Sequence, residues 1–187
     1  LDDAARHSQP GPGVTRLFCS DEHRAVLALI ADWMRQAGLT PELDASGNLV
    51  GRNERARQGE RTLIMGSHQD TVAEGGKYDG MLGVALPLQA LQALEEAGTE
   101  LPYGVEVVAF GDEEGTRFQS TLIGSRALAG TLDPESLKAR DADGVTLGEA
   151  LKAFGGNPQE IPHLARRPEA VIGFVEVMPQ TNSDTLA

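Results

Sequence analysis

Three short apolar runs dominate the chain: "RTLIMGSHQD" (residues 61–70), "YGVEVVAF" (103–110) and "AVIGFVEV" (170–177). Each is too short for a buried helix and rich in β-branched residues, as buried strands are. Helical patterns fill the intervals. "DGMLGVALPLQALQALEEAG" (79–98) is apolar nearly all round in its first half, which predicts a buried helix, and Pro87 within it predicts a kink unless the helix starts later. "STLIGSRALAG" (120–130) reads as a short helix, and a further one is expected near "TLGEALKAF" (146–154) inside a polar region. Strand, helix, strand, helix and strand in that order predict an α/β domain with a mixed, largely parallel sheet flanked by helices.

Upstream, residues 1–19 carry "SQPGPG" and are expected to form an extended lead-in. Ser20 is placed to cap a helix whose first turn holds Asp21 and Glu22, whose apolar face holds Val26, Leu27, Ile30, Trp33 and Met34, and which ends at Gly38. "LDASGNLVGRN" (43–53) reads as a hairpin turning at Gly47-Asn48. The domain is read as residues 20–177, followed by an atypical polar tail, 178–187, with no hydrophobic pattern.

The composition narrows the function classes. Acids outnumber bases 28 to 16, a formal charge of −12, which argues against nucleic acid or an anionic membrane as partner. One cysteine, Cys19, excludes an internal disulfide, and no apolar run approaches a membrane span. A cytoplasmic protein is expected. No secretion signal is visible, although the first residue is Leu1 rather than Met.

The chemistry concentrates where the first two runs end. "VVAFGDEEGTRF" (107–118) drives an apolar strand into Asp112, Glu113 and Glu114, and "SHQD" ends the strand before it. Consecutive carboxylates repel one another and cannot be buried unpaired, so a cation is expected opposite them. In open α/β sheets ligands gather at the carboxyl ends of strands, where both clusters fall. His68, Asp70, Asp79, Asp112, Glu113 and Glu114 offer one imidazole among carboxylates, a donor set suited to zinc or manganese. Two metals sharing a carboxylate would account for the crowding.

Spacing suggests roles. His68 and Asp70 are two apart, so the Asp70 carboxylate could hold the second ring nitrogen. Asp79 stands at the amino end of the buried helix, a natural N-cap position. Of the adjacent Glu113 and Glu114, one could bind metal and the other act as general base. Taken singly, a histidine after a strand is more often structural and "DEE" more often a solvated loop; their pairing favours metal. Asp112 is expected to point to solvent, and His7, His23 and His163 to lie on the surface. Cys19 has no base nearby in sequence, and "EGGKYDG" (74–80) lacks the Gly-Lys-Ser/Thr ending of a phosphate loop.

Together, "GSHQDTVAEGGKYDGMLGV", "VVAFGDEEGTRF" and "LIGSRALAG" resemble the ureido-amidohydrolase branch of the two-zinc aminoacylase/carboxypeptidase-type metallopeptidases: allantoate amidohydrolases, N-carbamoyl-L-amino-acid hydrolases and β-ureidopropionases. The resemblance runs from the first long helix to Val177. It implies a zinc-peptidase-like catalytic domain holding two divalent ions, zinc or manganese. His68 would bind one, Asp79 would bridge both, Glu114 would bind the other, Glu113 would be the general base and Asp70 the partner of His68. A water activated by the base would attack a carbonyl polarised by metal, releasing ammonia and, from a carbamoyl group, carbon dioxide.

The expected substrate is thus a small ureido or carbamoyl compound. "HQDTV" and "KYDGMLG" favour allantoate over N-carbamoyl amino acids. Full-length relatives are expected to be homodimers.

The resemblance also predicts departures. Family members continue the third strand into His-Ile-Glu-Gln-Gly-Pro, whose histidine completes one metal site; here Met178, Pro179 and Gln180 follow. A second family histidine and the inserted lid or dimerisation domain have no counterpart in these 187 residues. Thioether is a poor substitute for imidazole on zinc. The chain is therefore expected to be an incomplete portion of a hydrolase, binding metal without turnover. Weighed beside that reading are a non-catalytic metal-binding domain and, with least support, a plain interaction module.

Overall fold

The computed structural model describes residues 1–178. In chain order the elements are α1 (Asp2–Ala5), α2 (Asp21–Gln36), β1 (Thr40–Leu43), β2 (Leu49–Arg52), α3 (Glu54–Arg57), β3 (Thr62–His68), α4 (Met81–Glu96), β4 (Gly104–Phe110), α5 (Ile123–Ala129), α6 (Leu147–Phe154) and β5 (Val171–Val175), with short 3-10 turns between α5 and β5. The strands form one five-stranded sheet in the order β1-β2-β4-β3-β5. β3, β4 and β5 run parallel, while the β1-β2 hairpin adds antiparallel strands at one edge. The α/β expectation is met: the parallel strands are the three apolar runs.

β4 is buried along its whole length because β2 and β3 flank it and both faces are covered. Hence its run does not alternate, as is usual for parallel strands covered on both faces. α2 begins where expected, with the Ser20 hydroxyl accepting the His23 N–H at 3.1 Å, and buries Val26, Leu27, Ile30 and Met34. α4 runs unbroken from Met81 through Pro87 to Glu96. It buries Met81, Val84, Pro87, Leu88 and Leu91, but Leu86 on its other face is 44 % exposed, because only one side meets the sheet and α2.

Four sequence expectations are corrected. Gly80, not Asp79, is the N-cap of α4, and no side chain caps it. His23 is buried, not superficial: Phe154 stacks on its ring at 4.6 Å and Phe18 tilts against it at 5.4 Å. Asp112 is likewise buried rather than solvated. Residues 1–19 contain the α1 turn, and from there the chain runs to a single bridge between Val14 and Gly75.

The lead-in segment is locked down by Arg16, whose guanidinium is buried and donates to the carbonyls of Gln69 (2.7 Å), Ala4 (3.0 Å) and His7 (2.9 Å). At the opposite edge β5 leaves Ile172, Phe174 and Val175 exposed. Met178 is exposed as well; the remainder of the 178–187 tail lies outside the described residues.

Candidate metal centre

The β3-β4 register pairs His68 with Phe110, so both strands end at the same rim. Their polar continuations, "HQD" and "GDEEG", therefore leave the sheet side by side. The acidic loop is held from three sides. Carbonyls of Gly111, Asp112 and Glu113 accept the N–H groups of Gly124 (3.0 Å), Ile123 (3.2 Å) and Leu122 (3.3 Å). In that way the loop satisfies donors that the start of α5 would otherwise leave free. Asn48, wholly buried in the hairpin turn, accepts the Gly111 N–H at 3.0 Å through Oδ1 and donates from Nδ2 to Gly124 O at 3.2 Å. Third, the Asp70 carboxylate accepts the main-chain N–H groups of Glu113 (3.1 Å) and Glu114 (3.2 Å).

Asp70 thus differs from its expected role. It is the Asp70 main-chain carbonyl, not its carboxylate, that meets His68 Nδ1, at 2.8 Å. A carbonyl only accepts, so Nδ1 carries the proton and Nε2 keeps its lone pair for a cation. Asp79 Oδ1 lies 3.7 Å from that Nε2. Among the described residues, His68, Glu113 and Glu114 each offer a ligand atom, all within 4.8 Å of one another. The structure therefore brings His68, Glu113 and Glu114 together with Asp79 beside them, while Asp70 supports the loop from behind and Asp112 stands apart.

Electrostatics agree with a cation site. Burial raises the Glu113 carboxyl above its ordinary range; His68 opposes this, while Asp70, Glu176 and Asp79 add to it. Glu114 is raised by burial and by Glu113, Asp79 and Asp70, again against His68. Asp70 itself is raised by burial, offset by His68 and by the N–H groups it accepts. One imidazole and several oxygen donors, crowded so that each disfavours the other's charge, fit a divalent ion well.

Several residues that build this site carry no local signature. Arg16 holds the Gln69 carbonyl, and its main-chain N–H donates to Thr71 Oγ1 at 2.9 Å, so the lead-in braces the loop after His68. Glu176, just past β5, accepts a hydrogen bond from Ser67 Oγ at 2.8 Å. The "SGN" turn hinted at Asn48 only as a turn residue.

Gly80 offers a direct test. It has φ of +63°, and a Cβ there would sit 2.6 Å from His68 Nδ1 and closer still to the His68 carbonyl. Gly80→Ala must push the imidazole off Asp70 O. The expected outcome is a destabilisation of about 1–3 kcal/mol by chemical denaturation, together with loss of any metal-induced rise in melting temperature. An unchanged metal response would show that the ring can move without consequence.

Comparison with known proteins identifies the family. The family model described as Peptidase family M28 matches residues 48–156, and the chain belongs to that family. The chain is 47 % identical over 169 residues to an N-carbamoyl-L-amino acid amidohydrolase of Geobacillus stearothermophilus, covering 90 % of this chain and 41 % of that protein. It is 40 % identical over 181 residues to an allantoate deiminase of Arabidopsis thaliana, covering 95 % and 33 %. The crystal structure of a hydantoinase/carbamoylase family amidase from Burkholderia phymatum superposes with a TM-score of 0.84 at 31 % identity, covering 97 % of this chain and 44 % of that one. The resemblance read from the sequence is confirmed. The chain spans less than half the length of these relatives.

Proposed function

We propose that the chain carries one rim of a metal-dependent amidohydrolase site that cleaves the C–N bond of a small linear ureido or carbamoyl compound. The observation that carries this reading is the convergence of His68, Asp79, Glu113 and Glu114 at the ends of two adjacent parallel strands, with the His68 lone pair turned toward the carboxylates. His68, Asp79 and Glu114 would hold divalent metal, two ions of zinc or manganese in a complete site. Such metal supplies Lewis acidity toward a carbonyl and acidity to water. Glu113, its carboxyl raised by burial, accepts a proton from the attacking water and returns it to the departing nitrogen. The C–O bond forms first and the C–N bond then breaks, so that ammonia leaves; the carbamate left from a carbamoyl group loses carbon dioxide and frees its amine. Asp70 keeps Glu113 and Glu114 placed through their N–H groups.

The same reading includes a cytoplasmic setting, in keeping with a single free cysteine, and homodimers for full-length forms. Both named relatives, an N-carbamoyl-L-amino acid amidohydrolase and an allantoate deiminase, fall in the proposed substrate class. Ammonia release from N-carbamoyl-L-amino acids and from allantoate, with zinc or manganese added, tests it in this chain and in a full-length relative carrying the same substitutions. Glu113→Gln is expected to abolish turnover in the full-length form while preserving metal uptake. Turnover that survives Glu113→Gln would refute the assignment. Metal uptake without hydrolysis in the 187-residue chain would favour a metal-binding domain as its own activity.

A further inference from the structure

His23 and Gln69 are an unusual pair. Both are fully buried, His23 on α2 and Gln69 between His68 and Asp70. The Cys19 N–H donates to His23 Nδ1 at 3.0 Å, so that nitrogen is the acceptor and the ring proton belongs on Nε2. Burial pushes the imidazole down to about 3, assisted by Arg16 and Arg24, so it stays neutral at working pH. The Gln69 amide is oriented by its Nε2, which donates to Ala109 O at 3.3 Å and leaves Oε1 as the free end. His23 Nε2 and Gln69 Oε1 are two buried polar atoms without a hydrogen-bond partner among the described residues, and the Gln69 side chain lies close enough to act on the ring. A donor and an acceptor left over in the same place need one another, directly or through one water.

We infer that His23 is a positioning residue: its Nε2–H, acting on Gln69 Oε1, fixes the His68–Gln69–Asp70 turn from behind. The turn has much to lose. The Gln69 main chain holds Phe110 O (3.1 Å) and accepts Arg16, His68 Nδ1 meets Asp70 O, and Asp70 places both glutamates. An error at Gln69 would therefore reach His68, Glu113 and Glu114 together. The link to metal rests on the function proposed above; the link to the turn does not.

Two isosteric variants of the full chain separate the ring's jobs. Glutamine can place an amide N–H where Nε2 stood, and asparagine can place an oxygen where Nδ1 stood. His23→Gln thus keeps the donor to Gln69, and His23→Asn keeps only the acceptor for Cys19. Both lose stacking on Phe154 and should melt lower. Hydrogen exchange of the Gln69 and Thr71 amides in the metal-free chain is the deciding readout. Protection should fall in His23→Asn and be largely retained in His23→Gln, and manganese affinity by calorimetry should follow, weakening about tenfold or more in His23→Asn alone. Equal exchange in the two variants would overturn the inference. If the wild-type chain takes up no manganese while exchange still separates the variants, the metal reading fails and the positioning role stands. Should His23→Asn not fold, Gln69→Met, which removes the acceptor at similar volume, is expected to lose the same protection; unchanged protection there would likewise overturn it.

Discussion

Asp112→Asn is expected to stabilise the metal-free chain by about 2–4 kcal/mol at pH 8 and to remove much of its pH dependence. Asp112 is buried, and neither carboxylate oxygen has a hydrogen-bond partner among the described residues. Burial and the nearby Asp70 push its carboxyl up to about 8, and Arg117 only partly opposes them. Arg117 is committed elsewhere, to Asp141 at 3.0 Å and to the carbonyls of Phe18 (2.9 Å) and Cys19 (3.0 Å).

The sign follows from where the proton sits. Below the ordinary value of 3.8 both folded and unfolded forms are protonated, and Asp112 adds no pH-dependent cost. Between that value and about 8 the unfolded form ionises while the folded form does not, so stability falls steadily as pH rises. Asp70, Glu113 and Glu114 are raised too and act in the same sense. Asp141, paired with Arg117, and Glu149 are lowered and act in the opposite sense; Glu149 is exposed, where such a shift carries little stability.

Asparagine keeps the shape and has no charge to lose, at the expense of one amide still seeking a partner. Urea unfolding from pH 4 to 9 in a chelator checks this. Wild-type stability should decline across the range, with Asp112→Asn declining less; parallel curves would mean that the carboxylate finds solvent or a counter-ion.

Legibility divided along a physical line. What depends on neighbours in sequence could be read. Ser20 followed by two acids capped α2, the apolar runs became β3, β4 and β5, and two polar clusters ending adjacent runs met because a parallel register sets His68 beside Phe110. What depends on a partner far along the chain could not. Asn48 reaches Gly111, Arg16 reaches Gln69, and His23 is buried by Phe154; nothing local to these residues marks them.

Asp70 shows the boundary within one residue. The spacing to His68 was informative, since the two do interact, but whether carbonyl or carboxylate makes the contact depends on the acidic loop arriving to claim the carboxylate. The solvent-facing expectation for Asp112 fails for a related reason. A charged residue in a glycine-bounded loop is ordinarily solvated, and only the approach of α5 and of the segment around Phe18 and Cys19 buries it.

Divalent metal should reverse much of that electrostatic cost, and this gives the second large effect. A ligand that binds only the folded form stabilises it by about 2.7 kcal/mol at a hundred times its dissociation constant. Zinc or manganese is therefore expected to raise the melting temperature of the wild-type chain and to leave that of His68→Ala unchanged, because the imidazole is the one nitrogen donor in the group. Affinity should also rise with pH. The Glu113 and Glu114 carboxyls are raised in the metal-free chain, so as pH falls a growing share of the population holds protons that the ion must displace. Calorimetry at pH 6 in two buffers of different ionisation enthalpy counts those protons directly. Net proton release, shrinking toward pH 8 and absent in His68→Ala, is the expected result. Buffer-independent heats at pH 6 would mean that the glutamates are already ionised without metal, and binding that survives His68→Ala would move the ion away from the β3-β4 rim altogether.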